Sequence, residues 1–250
     1  IPMTFKEGGK LEVNVSTIIE RANGEILIGT SGHGIFLLNV TEGHIEARQL
    51  PGFVPSYLIN QIYEDRNGTL WVITNDKGIY SIDTNQRMTH YPNGREIVWP
   101  SSICEDKTGN IYVGCLKNGL FKYNPQTNGF THIKCSSHPE LPIKTLYNIN
   151  QDEIYIGTDG NGMKVYNIQK GQIMESPVNI TSFNFDKSKV HSILKDNQGN
   201  IWLGFFQKGV MIVPPVSNNF KYMGYKSSTH NTIGSCCIMS LCKDHTGSYW

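Results

Sequence analysis

The chain lacks the features that mark several common functional classes. It has no run of about 20 apolar residues, so no membrane-spanning helix is predicted. Its 22 Lys and Arg nearly balance 21 Asp and Glu, and no basic run occurs, which argues against a nucleic-acid-binding surface. No stretch shows a 3.6-residue apolar period, so almost no helix is expected.

Metal and cofactor motifs are also lacking. None of the six cysteines forms the paired Cys-x₂-Cys spacing of a zinc site, and we interpret them as small buried hydrophobic residues, with one or two disulfides left open. The eight histidines are scattered and give no Ser-His-Asp order. No cofactor, metal or catalytic residue is predicted. No pair of carboxylates is singled out, although a repeat fold can gather distant loops around a sugar.

What the chain does have is an internal repeat. Five times, an aromatic or leucine anchor in an apolar strand is followed seven residues later by a glycine that opens a second strand. The anchors are Leu27, Trp71, Tyr112, Tyr155 and Trp202, and the glycines are Gly34, Gly78, Gly119, Gly162 and Gly209. A sixth copy ends at its anchor, Trp250. Successive anchors lie 41 to 48 residues apart, a period typical of repeat architectures.

Each repeat reads as four short antiparallel strands, A to D. In residues 101–133 these are SSICE, IYVGC, LFKYN and FTHIK, separated by turns that contain Gly109, Gly119 and Gly129. A single four-stranded sheet cannot bury both of its faces, whereas radial stacking of such sheets does. The predicted fold is therefore all-β, a β-propeller of four-stranded antiparallel blades.

The repeat also sets the expected domain organisation. We expect one propeller domain over residues 1–250, seven-bladed when complete and cut from a longer protein. Full repeats are predicted at 16–50, 58–91, 101–133, 145–173 and 190–225. Residues 1–15 are predicted to end a preceding blade, with Met3–Phe5 as its last strand, and 236–250 to begin a sixth repeat.

An aspartate precedes the anchor by six residues in four of the copies. These aspartates are Asp65, Asp106, Asp196 and Asp244. A calcium loop needs several oxygen ligands at alternating positions, whereas these turns offer one or two. We therefore predict that each carboxylate accepts the amides of its own A–B turn.

The repeats resemble a known family. The pattern I-x-x-I-x-E-D-x-x-G-x-[IL]-W-[IV]-G-T followed by G-[LI]-x-x-Y, clearest in 59–83 and 190–210, is similar to the two-component regulator propeller repeat. That resemblance implies the periplasmic sensor region of a Bacteroidetes hybrid two-component histidine kinase. Members of the family generally sense oligosaccharides and continue into an immunoglobulin-like domain, a membrane helix and a kinase, none of which is found in this sequence.

The leading interpretation is a non-catalytic ligand-sensing module whose partners are an oligosaccharide and neighbouring domains of the same parent. A homodimer is left open, no nucleic-acid partner is expected, and any membrane attachment belongs to the parent. Two alternatives stay open. One is an enzyme of the streptogramin-lyase type, and the other is a spacer propeller whose neighbouring domain binds the ligand.

Candidate ligand contacts come from the D–A linkers, which vary in length while the A–B turns repeat, and from the B–C loops on the same face. Trp99 is the leading candidate because its ring can stack on a sugar, with Arg95 beside it. An alternative role for Trp99 is a hydrophobic lid on the blade core. The other predicted contacts are Tyr57, Asp76, Asp159 and Phe205, with Phe206 next to the last.

Overall fold

A computed structural model describes residues 3–5, 12–41, 44–50, 58–94, 97–135, 138–176, 178, 184–215, 221–223 and 239–246. Its regular structure is almost entirely β, as predicted, and forms five sheets of the propeller-blade type, antiparallel apart from one added strand in the first. The chain divides into two compact units, Ile1–Glu105 and Asp106–Trp250.

The first unit holds two sheets and one further strand. The first sheet consists of β1 (Met3–Phe5), β2 (Val15–Glu20), β3 (Ile26–Thr30), β4 (Ile35–Thr41) and β5 (His44–Gln49). The second consists of β6 (Ile59–Glu64), β7 (Leu70–Thr74), β8 (Gly78–Ile82) and β9 (Met88–Pro92). The unit ends with β10 (Pro100–Glu105), which is strand A of the third repeat.

The second unit holds the rest of the third repeat and two more sheets. The third repeat continues as β11 (Ile111–Cys115), β12 (Gly119–Asn124) and β13 (Gly129–Ile133). The fourth sheet is β14 (Ile143–Asn148), β15 (Glu153–Thr158), β16 (Met163–Asn167) and β17 (Gln172–Glu175). A 3₁₀ turn at Phe185–Lys187 precedes the fifth sheet, β18 (Val190–Lys195), β19 (Ile201–Phe205), β20 (Gly209–Val213) and β21 (Lys221–Met223).

The anchors lie in strand B, as predicted, and four of the five are buried. Leu27, Trp71, Tyr112 and Tyr155 are 0 to 8 % exposed. Trp202 is only partly buried, so the predicted burial of this anchor between neighbouring sheets is incomplete. Trp250 lies outside the described residues.

Sheets within each unit pack through their apolar faces. In the first unit, Leu27 and Ile35 of the first sheet share a core with Ile59, Val72 and other residues of the second. In the second unit, Tyr155 and Val165 of the fourth sheet share a core with residues of the fifth, among them Phe205. The contact is close enough to require glycine in strand B, since a Cβ on Gly157 would lie 2.6 Å from the carbonyl oxygen of Val190.

The N-terminal strand differs from its prediction. Met3–Phe5 was expected to end a preceding blade, but β1 pairs in parallel with β5 and becomes a fifth strand of the first sheet. An outer strand presents unpaired backbone groups, and β1 satisfies those of β5. Of the predicted sixth repeat, only 239–246 is described, where Asp244 Oδ1 accepts the amide of Thr246 at 2.9 Å.

Candidate functional site

The recurring aspartates fasten each hairpin to its own strand. Oδ1 of Asp65 accepts the amides of Asn67 and Thr69 at 2.9 and 3.0 Å, while Oδ2 accepts the indole N–H of Trp71 at 2.9 Å. The same arrangement joins Asp106 to Tyr112 and Asp196 to Trp202. The predicted amide contacts are thereby confirmed, and the bond to the anchor is an addition that the sequence pattern did not reveal.

A second repeated contact closes the B–C turn. Thr30, Thr74 and Thr158 stand at the end of strand B, and each hydroxyl donates to the carbonyl of the turn glycine four residues later, at 2.6 to 2.9 Å. Each hydroxyl oxygen also accepts the amide of the residue three positions on. The fifth sheet has Phe205 at this position.

Strand A, which we call the inner strand, carries a β-bulge at its second residue in four sheets, eleven positions before the anchor. In the first unit the side chains at this position hold the next inner strand. Ser16 donates to the carbonyls of Ile59 and Gly29, and Asn60 donates to Pro100 and Ser101 at 3.4 and 3.3 Å. In the second unit the same position carries Lys144 and His191. Two titratable side chains thus stand where the first unit has a structural hydroxyl and a structural amide.

His191 belongs to a polar cluster at the loop end of the second unit. Asp159 begins the β15–β16 turn, where its amide donates to Pro142 O at 2.8 Å. Its carboxylate reaches the start of the next sheet, with Oδ1 2.9 Å from Lys189 Nζ and 3.6 Å from His191 Nε2. Lys144 lies on β14, which packs against β18, and its charge acts on His191. We call Lys144, Asp159, Lys189, His191 and Phe206 the loop cluster.

Phe206 supplies an aromatic surface to the loop cluster. It begins the β19–β20 turn and is only partly buried, with its amide bonded to Lys189 O at 3.0 Å. The ring centroid lies 5.1 Å from that of His191 and 5.6 Å from Lys189 Nζ, the latter within cation–π range. An aromatic face flanked by polar donors is suited to stacking against a sugar ring.

The loop cluster has an excess of positive charge. Burial works to raise the pKa of Asp159, but the hydrogen bond and charge of Lys189, aided by His191, more than offset it, so the pKa lies below its ordinary value. Burial lowers the pKa of His191, and the charge of Lys144 lowers it further against the opposing effect of Asp159. At neutral pH the cluster therefore holds one carboxylate, two ammonium groups and a neutral imidazole.

The structure places the predicted contacts unevenly. Asp159 joins the loop cluster together with Phe206. Phe205 is fully buried in the core of the fifth sheet, so its proposal as a surface contact is corrected: it fills the position that threonine occupies in other repeats. Tyr57 and Arg95 lie outside the described residues.

The remaining two predicted contacts lie in the first unit. Asp76 is exposed in the β7–β8 turn, 4.0 Å from Lys77 Nζ. Trp99 precedes β10 and is 56 % exposed, with a positive φ of 53°. Bulky residues rarely adopt this backbone conformation, and strain of this kind often accompanies function. Its exposure disfavours the role of a lid on the blade core.

Sequence reasoning missed Lys144, Lys189 and His191. For Lys144 and His191 the signal was present, because aligning the anchors puts Ser, Asn, Ser, Lys and His at the same position before strand B. That position breaks the symmetry of an otherwise structural repeat. Its importance becomes visible only when the bulge turns it toward the next inner strand.

Other chemistry is sparse in the described part of the chain. No group of three or more His, Cys, Asp or Glu there could hold a metal ion. Cys104, Cys115 and Cys135 are buried free thiols, as interpreted from the sequence, and Cys242 is an exposed one. Within the same residues, no helix has the length and apolar character needed to cross a bilayer.

These blades define a β-propeller, and comparison with known proteins specifies its repeats. Residues 54–76 and 184–207 match the family model described as "Two component regulator propeller". The resemblance predicted from the sequence is confirmed by these two segments, which span strands A and B of the second and fifth repeats. No curated protein matches the sequence.

Solved structures share the fold at low sequence identity. The extracellular domain of a proposed hybrid two component system from B. thetaiotaomicron is 18 % identical, with a TM-score of 0.70 over 95 % of this chain and 36 % of that one. A second such domain from the same organism is 16 % identical, with a TM-score of 0.60 over 96 % of this chain and 38 % of that one. The chain thus spans little more than a third of either domain.

Streptogramin lyases are similar as well. A streptogramin B lyase is 13 % identical, with a TM-score of 0.69 over 96 % of this chain and 90 % of that one. A catalytically inactive virginiamycin B lyase from Staphylococcus aureus, solved with quinupristin, is 14 % identical, with a TM-score of 0.67 over 92 % and 74 %. At these identities the comparisons show a shared fold.

Proposed function

We propose that this chain is the ligand-binding propeller of an extracytoplasmic sensor in a two-component system, located in the periplasm, and that its ligand is an oligosaccharide. The matched repeats carry the family description, and two of the similar structures are extracellular domains of such systems. The domain itself is non-catalytic and passes its signal to neighbouring domains of the parent protein.

The observation that carries ligand binding is the loop cluster. Two sets of polar residues have structural roles that repeat from blade to blade: the aspartates of the A–B turns and the threonines of the B–C turns. In the loop cluster, by contrast, Phe206 and Lys189 are accessible at the end of the sheets where loops vary. Functional sites usually lie on variable loops held by a rigid scaffold.

Calorimetric titration of the 250-residue chain with a panel of plant and host-glycan oligosaccharides tests this proposal. Stacking on an aromatic ring contributes about 0.5–1.5 kcal/mol, so Phe206→Ala should weaken binding about two- to tenfold. Phe130→Ala is the matched control, because the Phe130 ring packs in a tilted arrangement against Tyr123 at the opposite, C–D end of its sheet. If the folded chain binds none of the panel, the propeller is a spacer and the proposal fails.

One observation favours a second candidate, an enzyme of the streptogramin-lyase type. His191 lies on an inner strand beside a carboxylate, a combination suited to acid–base chemistry. Against it, the carboxylate of Asp159 already pairs with Lys189, and no glutamate faces His191 in the described part of the unit. Incubating the chain with quinupristin should leave its reversed-phase elution unchanged, and a new product peak would favour the enzyme.

A further inference from the structure

We propose that the loop cluster binds an anionic group, the carboxylate or sulfate of an acidic oligosaccharide, between Lys189, His191 and Lys144, with the sugar ring against Phe206. This inference rests on the proposed function and names the class of oligosaccharide. It follows from charge, from unfilled hydrogen-bonding capacity and from the contrast with the first unit.

Charge is the first argument. Asp159 pairs with Lys189 and lies beside His191, while the charge of Lys144 on β14 acts on His191 as well. No carboxylate lies within ion-pair distance of Lys144 in the described part of the chain, and Asp186 and Lys187 on the adjoining 3₁₀ turn have opposite signs. The cluster therefore keeps one uncompensated positive charge, which an anionic ligand can neutralise.

Hydrogen-bonding capacity is the second argument. The side chain of His191 is 11 % exposed, yet neither ring nitrogen has a hydrogen-bond partner within the described residues, since Asp159 Oδ1 is 3.6 Å away. Buried polar groups are nearly always satisfied, so a ligand oxygen or water is expected there. Lys189 is 47 % exposed and has three N–H donors, enough for Asp159 and a ligand oxygen together.

The first unit supplies the third argument. At the equivalent bulge positions, the side chains of Ser16 and Asn60 donate hydrogen bonds to carbonyls of the next inner strand. A purely structural bulge therefore needs only a short neutral side chain. Lysine and histidine at this position make no such bond in the described residues, so their presence in two consecutive sheets calls for another partner.

Calorimetric titration of the 250-residue chain at low salt tests the inference, with oligogalacturonate and chondroitin sulfate oligosaccharides as acidic probes and cellotriose as the neutral one. At least one acidic probe should bind, and cellotriose should bind more weakly. Raising the ionic strength from about 0.05 to 0.3 M should weaken the acidic probe, because salt screens exposed charges.

Lys189→Gln should lower the affinity for the acidic probe about tenfold, the loss expected for one charge-assisted hydrogen bond. Arg87→Gln is the matched control: Arg87 also pairs with an aspartate at 2.9 Å, but in an exposed C–D turn, and its removal should leave affinity unchanged. Circular dichroism verifies that both variants fold.

The outcomes separate the two proposals. If cellotriose binds as tightly as the acidic probes and Lys189→Gln has no effect, the inference is overturned while the proposed function stands. If no acidic probe binds but a neutral oligosaccharide does, the inference is likewise overturned and the proposed function stands. If no oligosaccharide binds the folded chain, both are wrong.

Discussion

The indole nitrogen of Trp71 donates a 2.9 Å hydrogen bond to Oδ2 of Asp65, whose other oxygen accepts two amides of the hairpin before the strand. One carboxylate thus joins the A–B turn to the strand B anchor. Because both residues are buried, the bond is made where an unsatisfied partner would be costly. The fastening recurs in the third and fifth repeats.

Trp71→Ala should destabilise the chain more than Trp202→Ala. Trp71 is 3 % exposed, so its removal should cost about 3–5 kcal/mol, the range for large-to-small changes at buried aromatic residues. Trp202 is only partly buried and should cost less. Urea denaturation followed by circular dichroism measures both, with the exposed Met88→Ala as control. Equal losses for the two tryptophans would contradict the difference in burial.

Asp106 should make stability depend on acid pH. Burial works to raise the pKa of Asp106, but hydrogen bonds from Asn110 and Thr108 more than offset it, so the folded-state pKa lies below its ordinary value of about 3.9. The ionised carboxylate therefore stabilises the fold fully above the unfolded-state pKa. This contribution is lost as the pH falls through the lower folded-state pKa.

Asp106→Asn should accordingly lower stability at neutral pH by about 1.5–3 kcal/mol, the range for hydrogen bonds to charged groups. The deficit relative to wild type should shrink between about pH 4 and pH 2. Thermal unfolding of both proteins across this interval measures it. Two pH profiles that stay parallel throughout would show that the carboxylate's charge has no stabilising role.

Gly78→Ala should be more damaging than Gly24→Ala. Both glycines have a positive φ, 98° and 83°, so both substitutions carry the backbone cost of roughly 1 kcal/mol. Only at Gly78 would the new Cβ also meet backbone, 2.3 Å from Tyr91 O, whereas nothing lies within 4 Å at Gly24. This overpacking should add about 1–3 kcal/mol. Urea denaturation compares the pair, and matching losses would refute the close approach.

The architecture could be predicted because the same residue pattern recurs along the chain, so a departure in one copy does not hide it. Each anchor, turn glycine and aspartate recurs in phase, so an error in one copy is corrected by the others. The exceptions are local: β1 has a strand D sequence but pairs with β5, because pairing partners depend on which edge is open. Phe205 looked like a loop residue, yet it ends strand B and points into the core.

The loop cluster could be predicted only in part. Asp159 and Phe206 were recognised as B–C loop residues on the face where the D–A linkers vary. Lys189 and His191 meet them through a β-bulge and the approach of a neighbouring sheet. Neither event leaves a signature in one copy of the repeat. A comparison of the same position across all copies would have singled out Lys144 and His191.

Binding of an acidic oligosaccharide should strengthen as the pH falls. His191 faces Asp159 from the β15–β16 turn, Lys144 from β14 and Lys189 beside its own strand, and burial with Lys144 lowers the pKa of His191. At neutral pH the ring is uncharged. Below its ordinary pKa of about 6.5, protonation adds a positive charge to the site, and a bound anion favours that form.

Affinity for oligogalacturonate should therefore rise several-fold between about pH 7.5 and pH 5.5, a range in which the sugar carboxylates stay ionised. His191→Gln should flatten this dependence while keeping a side chain that can hydrogen-bond. Calorimetry at the two pH values measures both proteins. A wild-type affinity that is constant over this interval would rule out His191 as part of the anion site.

The propeller itself should contact the ligand through the loop cluster. Hydrogen–deuterium exchange of the 250-residue chain, with and without saturating oligogalacturonate, tests it most directly. Exchange should slow in 159–162, 187–192 and 205–209, with no change in the A–B turns 65–68 and 106–109. Unchanged exchange in the first three segments, with protection elsewhere or nowhere, would contradict it.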